Sequence, residues 1–510
     1  MEAVRAVLLV QLIVAGIEAA LTRGQQRAAA AVEKDGKYWL DQGLRDIQER
    51  LTRRQITGRA KNVIMFLGDG MSVTTVTAAR IYQGQQEGRS GEESVLSFEK
   101  FPWTGLSKTY CVNSQVADSA CSATAYLGGV KANIGTIGVT ANVKMGDCHA
   151  MTNTSNHVTS VLEWARRAGK STGIVTTTRV THASPAGTYA HTAKRDWEGD
   201  QDVKKDKEDP EVCPDIATQL VTQLPGRDIN VILGGGRSNF VEKDIKDEEG
   251  REGRRKDSQN LIKMWAADKE RRNATHKYVW DKQGLLKLDT NTTDYLLGLF
   301  SASHIPYALH AGKKRPSLTL MVQKALEILK KNPNGYFLFV EGGRIDHAHH
   351  DTEARRALHE TVEFSEAVDA AVQAVKEDDT LIVVTADHAH TMTMSGYPAR
   401  GNDILGLAGT SDIDYLPYST LSYANGPSNH DRHDFSRDNM ERDDYKFPSA
   451  VPERVETHGG DDVSVYARGP RAHLLTGVME QSTLASVMGY AACIGPHQQI
   501  CEASTNHLQT

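Results

Sequence analysis

Residues 336–351 read YFLFVEGGRIDHAHHD. The opening run YFLFV is apolar throughout, with no alternation to polar residues, which fits a strand covered on both faces. The chain then passes Gly342 and Gly343 and presents Glu341, Asp346, His347, His349, His350 and Asp351 within one short stretch. The pattern occurs twice more: VIMFL (63–67) runs into GDG with Asp69, and TLIVVT (380–385) runs into ADHAH with Asp387, His388 and His390. STGIVTTT (171–178) and INVIL (229–233) also have strand length, and helical patterns at 158–169, 317–331 and 357–376 separate these runs. Apolar strands alternating with helices predict an α/β fold, with a large, mostly parallel central sheet flanked by helices on both faces.

In an open α/β sheet, ligands bind in the crevice beyond the carboxyl ends of the strands. Three strand ends that each offer carboxylate or imidazole therefore predict a shared polynuclear metal site. Mixed His and carboxylate ligation suits Zn²⁺, whereas carboxylate with hydroxyl and water suits Mg²⁺. If RIDHAHH opens a helix, Asp346 and His350 stand at i and i+4 on one face and can grip one ion. Asp387 and His388 are adjacent and share an ion only if the chain turns sharply there. A lone His or Asp after a strand is commonly a cap or loop residue, but three His-rich clusters on one sheet outweigh that reading.

Two further segments carry candidates. VADSACSATAYLGGVKA (116–132) reads as a helix with Ser119 at its N-terminus. There the macrodipole and free N–H groups favour an alkoxide or a phosphate. The alternative, that Asp118 or Ser119 simply caps the helix, stands level with it on this segment alone. TTTRVTHASPAGTYAHTAKRDW (176–197) supplies His182, Ser184 and Arg195, and an Arg fork can hold two phosphate oxygens at once.

The chain has 510 residues, beyond the ~250–300 at which single cores stop growing. It therefore has several domains or one large sheet with insertions. Lys+Arg of 59 against Asp+Glu of 65 gives a net charge of −6. No global basic field invites nucleic acid or an anionic membrane. MEAVRAVLLVQLIVAGIEAA (1–20) has the shape of a secretory signal, cleaved near Ala19 or Ala20. The final segment is polar and lacks the apolar tail of a lipid-anchor signal, so the expectation is a secreted, extracellular, soluble product with no membrane anchor. Six cysteines, Cys111, Cys121, Cys148, Cys213, Cys493 and Cys501, suit an oxidising compartment. Cys493 with Cys501 is the easiest pair to assign from spacing. Sequons at Asn153, Asn273 and Asn291 agree with secretion.

Residues 38–51 place Trp39 or Leu40, Leu44, Ile47 and Leu51 on one helical face. Residues 241–283 are dense in charge and read as a solvated insertion, and 396–457 as a separate inserted subdomain. The expected division is a signal peptide (1–20), a core (21–395 and 458–495), a crown-like insertion (396–457) and a C-terminal tail (496–510).

GDGM, VADSACSATAY, TTTRVTHASPAGTYAHT, EGGRIDHAHH, TADHAH and ETHGGDDVSVYARGP resemble the motifs of the alkaline phosphatase family, in the family's order. The resemblance covers roughly residues 36–495 and is nearer the animal members than the bacterial ones. It implies a metal-dependent phosphate monoester hydrolase with two Zn²⁺ and one Mg²⁺ per subunit, acting on small phosphate monoesters through a phosphoserine. By that resemblance Ser119 is the nucleophile and Arg195 the phosphate clamp. Asp346, His350 and His458 would hold one zinc, and Asp69, Asp387 and His388, with Ser119, the other. Asp69, Ser184 and Glu341 would hold magnesium. His182 and His347 match positions where animal members carry His, while Asp118 and His390 are supporting residues.

The resemblance also implies the pairs Cys148–Cys213 and Cys493–Cys501, which leaves Cys111 and Cys121 as a hypothetical third, and a homodimer formed through the N-terminal helix and the insertion. Many animal members carry a further site assigned to calcium, with a Glu after GLF and an Asp before Pro-Ser. Here Ser301 follows GLF (298–300) and Arg315 precedes Pro316-Ser317, so no calcium site is expected. The rival readings are a phosphodiesterase or sulfatase on the same scaffold and a catalytically dead binding protein. A sulfatase needs a modifiable Cys or Ser in a C/S-x-P-x-R context, but Ala120-Cys121 follows Ser119. A dead member would have lost Ser119, Arg195 or a zinc ligand, and all are present.

Overall fold

The computed structural model describes residues 32–428 and 432–501. The signal peptide expected at 1–20 and the last residues of the tail, 502–510, lie outside them. The apolar runs form strands of one ten-stranded sheet. Its members are β1 (Asn62–Gly68), β2 (Trp103–Lys108), β3 (Ser171–Arg179), β4 (Val231–Gly235), β5 (His276–Val279), β6 (Tyr295–Leu299), β7 (Tyr336–Gly342), β8 (Thr380–Thr385), β16 (Val463–Arg468) and β17 (Gly477–Glu480). Between β8 and β16 come the short strands β9 (Ala389–His390), β10 (Met392–Met394), β11 (Leu407–Thr410), β12 (Pro417–Ser419), β13 (Leu421–Gly426), β14 (Ser449–Pro452) and β15 (His458–Gly459). The order across the large sheet is β17-β2-β16-β8-β1-β7-β3-β4-β6-β5. Only β16 runs antiparallel to its neighbours, β2 and β8.

The unbroken apolar runs have a simple cause, since both faces of the sheet are covered. Along β1, Ile64 and Phe66 enter one core while Val63, Met65 and Leu67 enter the other. The first core is closed by the helices Val73–Gln86, Leu318–Leu329 and Ala354–Ala374, the second by Ser119–Gly128, Val161–Arg167, Leu261–Arg271 and Thr483–Ala492. Phe66 meets Phe364 edge-on with ring centroids 5.8 Å apart, a geometry that aromatic quadrupoles favour. Register then decides where the chemistry emerges. Leu67 lies opposite both Glu341 of β7 and Thr385 of β8, so the carboxyl ends of the three parallel strands finish level.

One expectation needs correction. The charge-dense stretch 241–283 is not simply a solvated insertion, because its second half forms the helix Leu261–Arg271, with Leu261 and Trp265 buried, and the edge strand β5. Part of its charge is paired with a buried arginine that precedes it rather than solvated. Arg237, itself fully buried, bonds Asp247 at 2.8 Å and Glu249 at 2.5 Å. Just before the insertion expected at 396–457, β10 pairs with β13, which in turn pairs with β14. Cys501 is bridged to Cys493, the pair expected from spacing. The helix Gly36–Leu51 has no buried residue, and its apolar stripe faces outward. The remaining bridges are Cys148–Cys213 and Cys111–Cys121. Among the described residues no helix is long and apolar enough to cross a membrane.

Candidate active site

Asp69 follows β1, Glu341 lies at the carboxyl end of β7, and Asp387 follows β8, so these three adjacent strands deliver three carboxylates to one place. Gly70 lets the chain leave β1 there. Its φ of +65° is left-handed, and a Cβ at that position would run into the His390 ring. Its N–H donates to Asp387 Oδ1 at 2.9 Å, and His388 N donates to the same oxygen at 3.0 Å. This is the sharp turn that lets Asp387 and His388 face one point, with His388 Nε2 3.1 Å from Asp387 Oδ2.

The helix Arg344–His350 places Asp346 and His350 one turn apart, with His350 Nε2 3.3 Å from Asp346 Oδ1. His458 arrives from the far side of the insertion through the β9–β15 pairing, which sets it opposite His390. His458 Nε2 lies 3.4 Å from Asp346 Oδ1 and 3.2 Å from His350 Nε2. Proton bookkeeping makes this cluster informative. His350 Nδ1 faces the Glu456 carbonyl at 2.5 Å and His458 Nδ1 faces the Ala117 carbonyl at 2.8 Å. Carbonyls only accept, so both protons sit on Nδ1 and the two Nε2 lone pairs point at each other beside a carboxylate. Two imidazole nitrogens without a donor between them, converging on one buried carboxylate, are the signature of a cation site.

His388 repeats the arrangement. Its Nδ1 faces the Ala389 carbonyl at 3.3 Å, and its Nε2 points into the cluster, 3.1 Å from Asp387 Oδ2, 3.2 Å from Ser119 Oγ and 3.6 Å from Asp69 Oδ1. Both oxygens of Asp69, Oδ2 of Asp387, Oε1 of Glu341 and Oγ of Ser184 are buried without a hydrogen-bond partner. Glu341 Oε2 accepts from Thr176 Oγ1 and from Thr178 Oγ1, the latter at 2.9 Å. Burial, and then the charges of Asp387, Asp346 and Glu341, push the Asp69 carboxyl well above its ordinary range, while burial lifts Glu341 to about 7. So much buried negative charge is costly unless cations neutralise it.

His390 is different in kind. Its Nδ1 lies 2.5 Å from Glu456 Oε2 and its Nε2 2.7 Å from Asp346 Oδ1, so both nitrogens donate. Burial opposes the charged ring, but Glu456 and Asp346 outweigh it and raise the pKa to about 10. His390 is thus an imidazolium that braces Asp346 and has no lone pair for a metal.

Ser119 opens the helix Ser119–Gly128, with Asp118 as the cap residue. The two sequence readings of this segment prove compatible. Asp118 Oδ1 caps by accepting from Cys121 N at 3.1 Å, and Oδ2 holds Arg195 Nη1 at 3.0 Å. Burial alone would raise Asp118, yet the Arg195 charge and the N–H groups of Gly135 and Cys121 hold it below the usual carboxyl range. Arg195 Nη2 stands 3.3 Å from His182 Nε2. His347 packs near His182, with ring centroids 5.5 Å apart.

Sequence reasoning missed Glu456, Thr176, Thr178 and His304. Glu456 stands two residues before His458, on the same side of an extended segment, and that spacing was its available signal. Thr176 pairs with Glu341 across β3 and β7, a relation that sequence does not reveal. His304 lies tilted against His347, ring centroids 4.3 Å apart, from a segment with no metal-like pattern. In the region where a fourth ion was considered, Arg315 Nη2 and Arg237 Nη2 donate to Glu249 at 2.8 and 2.5 Å, and Arg315 also reaches the Phe300 carbonyl.

Comparison with known proteins adds an independent line. The family model described as alkaline phosphatase matches residues 60–494. A membrane-bound alkaline phosphatase of Bombyx mori is 49% identical over 498 residues, covering 94% of this chain and 90% of that protein. The tissue-nonspecific isozyme of Homo sapiens is 48% identical over 490 residues, covering 93% of this chain and 92% of its own. Among solved structures, the Thermus thermophilus alkaline phosphatase superposes with a TM-score of 0.61 at 22% identity, over 85% of this chain and 92% of that one. An alkaline phosphatase mutant from the Antarctic bacterium TAB5, described with Mg bound in its M3 site, gives 0.60 at 20% identity, over 86% and 99%. At these identities the structures speak to the fold.

Proposed function

The chain belongs to the alkaline phosphatase family, enzymes that hydrolyse phosphate monoesters, and from that premise we propose a metal-dependent reaction that proceeds through a phosphoserine at Ser119. The observation that carries the proposal is the pair of imidazoles His350 and His458 converging on Asp346, with His388 beside the Ser119 hydroxyl and unpartnered carboxylate oxygens on Asp69, Asp387 and Glu341. Asp346, His350 and His458 would hold one zinc. Asp69, Asp387 and His388 would hold a second, with Ser119 beside it, and Asp69, Ser184 and Glu341 a magnesium ion. Bound there, the ions would supply Lewis acidity, which lowers hydroxyl and water pKa values and offsets charge on phosphoryl oxygens.

The chain's own groups do the positioning. Ser119 Oγ sits at a helix N-terminus, where the dipole favours an alkoxide. It attacks phosphorus as the ester P–O bond breaks and the alcohol leaves. Arg195, pinned through one nitrogen by Asp118, keeps N–H groups for the phosphoryl oxygens. His182 and His347 border that position. Water then cleaves the Ser119–phosphoryl bond, which restores the hydroxyl and releases orthophosphate. We place no calcium beside Glu249, because Arg237 and Arg315 already supply the opposing charge.

The deciding experiment is side-by-side hydrolysis of p-nitrophenyl phosphate, bis-p-nitrophenyl phosphate and p-nitrophenyl sulfate by zinc- and magnesium-loaded protein. The monoester is expected to turn over at least ~10³-fold faster, a gap of about 4 kcal/mol in barrier. A preference for the diester or the sulfate would overturn the reading.

Three disulfides, and exposed sequons at Asn153, Asn273 and Asn291, support passage through the secretory pathway and N-glycosylation. The outward stripe Leu40, Leu44, Ile47 and Leu51, from 54% to 80% exposed, supports a homodimer, since monomers rarely leave such a face open. The insertion adjoins it, for Arg400 pairs with Glu33, and Tyr397 and Tyr415 are exposed on the same subdomain. Leu44→Glu with Ile47→Glu is expected to halve the mass measured by light scattering. A wild-type chain that already runs as a monomer would remove the proposal.

A further inference from the structure

We infer that the Cys111–Cys121 disulfide is a positioning device for the reaction: it fixes, within one small ring, the nucleophile, the carbonyl that orients a zinc-ligating imidazole, and the carboxylate that aims the phosphate-binding arginine. The inference rests on the metal-dependent hydrolase reading above and goes beyond it.

The segment between β2 and the helix Ser119–Gly128 has no ladder or helix of its own beyond an isolated bridge between Cys111 and Ser114. Loops of this kind, with few repeating backbone bonds, are where local opening is cheapest. Yet three groups that need sub-ångström placement lie in it or at its end. Ala117 O accepts the proton of His458 Nδ1 at 2.8 Å, the bond that leaves His458 Nε2 bare toward Asp346. Asp118 accepts from Cys121 N and Gly135 N, each at 3.1 Å, and holds Arg195 at 3.0 Å. Ser119 Oγ faces His388 Nε2 at 3.2 Å.

The bridge ties the start of this loop to the first turn of the helix, two residues past Ser119, with a sequence separation of 10 and Cα atoms 5.9 Å apart. Its sulfurs are buried with Ala117 and Ala132 in a small apolar cluster of their own, apart from the two large cores. Bridging thus ties Ala117, Asp118 and Ser119 together as one body. The other two disulfides enclose none of these groups. Cys148–Cys213 belongs to a separate cluster, and Cys493–Cys501 closes a loop at the end of the described residues.

A covalent ring of this size removes loop freedom before binding, so less ordering is left to be done when zinc and phosphate arrive. A partner that fixes a metal-bound imidazole is typically worth ~10–100-fold in metal affinity. The expected readouts are therefore binding constants, which a staple serving only global stability would leave alone.

The test uses the full-length protein in three forms: wild type, Cys111→Ala/Cys121→Ala, and Cys493→Ala/Cys501→Ala. Zinc affinity is measured by competition with a chelator, orthophosphate affinity by inhibition of turnover, and folding by circular dichroism and thermal denaturation. Loss of the first pair is expected to weaken zinc binding about tenfold and orthophosphate binding several-fold, with secondary structure retained. Loss of the terminal pair is expected to change neither constant. If the first variant fails to fold, Cys111→Ala/Cys121→Val, which refills the sulfur volume, takes its place. A folded variant with wild-type affinities for both ligands overturns the inference, even if its melting temperature drops. A wild-type protein that binds no zinc sinks the hydrolase reading and this inference together.

Discussion

Ser119→Ala is expected to reduce hydrolysis of p-nitrophenyl phosphate by about 10⁴-fold or more while leaving zinc content and melting temperature close to wild type. The size of the loss follows from the role. A nucleophile that forms the covalent intermediate has no substitute nearby, and its removal leaves only what positioning and electrostatics achieve on water. Stability should hold because Ser119 Oγ makes one contact, with His388 Nε2, and the helix cap belongs to Asp118. A second measurement separates nucleophile from mere neighbour. Wild-type enzyme quenched in acid during turnover should yield a Ser119 peptide heavier by one phosphoryl group, and the variant should yield none. A variant retaining a tenth of wild-type activity, or a phosphoryl group on another residue, would remove Ser119 from its proposed role.

Asp69→Asn is expected to reverse the order of stabilities with and without metal, as well as to abolish activity. Asp69 is fully buried, neither of its oxygens has a hydrogen-bond partner, and Asp387, Asp346 and Glu341 surround it. In metal-free protein its charge therefore opposes folding, and neutralising it should stabilise the fold by roughly 3 kcal/mol, the scale of an uncompensated buried charge. The sign with pH follows from the raised folded pKa of an acid. The penalty is absent below the ordinary carboxyl value of 3.8 and grows as pH rises above it. Metal-free Asp69→Asn should thus melt above metal-free wild type, with a gap that widens from pH 4 upward. In zinc and magnesium the order inverts, because only the wild type gains the full binding free energy. Turnover should fall by at least ~100-fold, to a level that metal loading does not restore. Scanning calorimetry of both forms, chelated and loaded, decides it; if wild type is the more stable in both conditions, Asp69 does not sit in a cation site.

The legible and illegible parts of the sequence divide along physical lines. VIMFL, YFLFV and TLIVVT read as strands because burial on both faces leaves no polar position to confuse the pattern. The stripe Leu40, Leu44, Ile47 and Leu51 was equally clear as a helix face, but periodicity cannot say what covers it, and among the described residues nothing does. The stretch 241–283 misled because charge density was read as solvation. Arg237 is buried among Asp247 and Glu249, and opposite charges that satisfy one another look, in one dimension, like charges that face water.

The candidate site shows the same division. Which residue types gather after which strands was written locally, as were the helical spacing of Asp346 and His350 and the helix that Ser119 opens. Protonation and partnership were not. Glu456 and Asp346 hold His390 charged, while Ala117 and Glu456 carbonyls leave His458 and His350 bare at Nε2, and those partners lie between 44 and 341 residues apart. Local patterning therefore determined the α/β class and the inventory of metal-liking side chains, because hydrophobic period and residue chemistry are properties of short segments. Strand order, the level ends of β1, β7 and β8, and the choice of which imidazole donates and which accepts were decided only in the tertiary structure. Each of these depends on distances and hydrogen bonds between groups far apart along the chain.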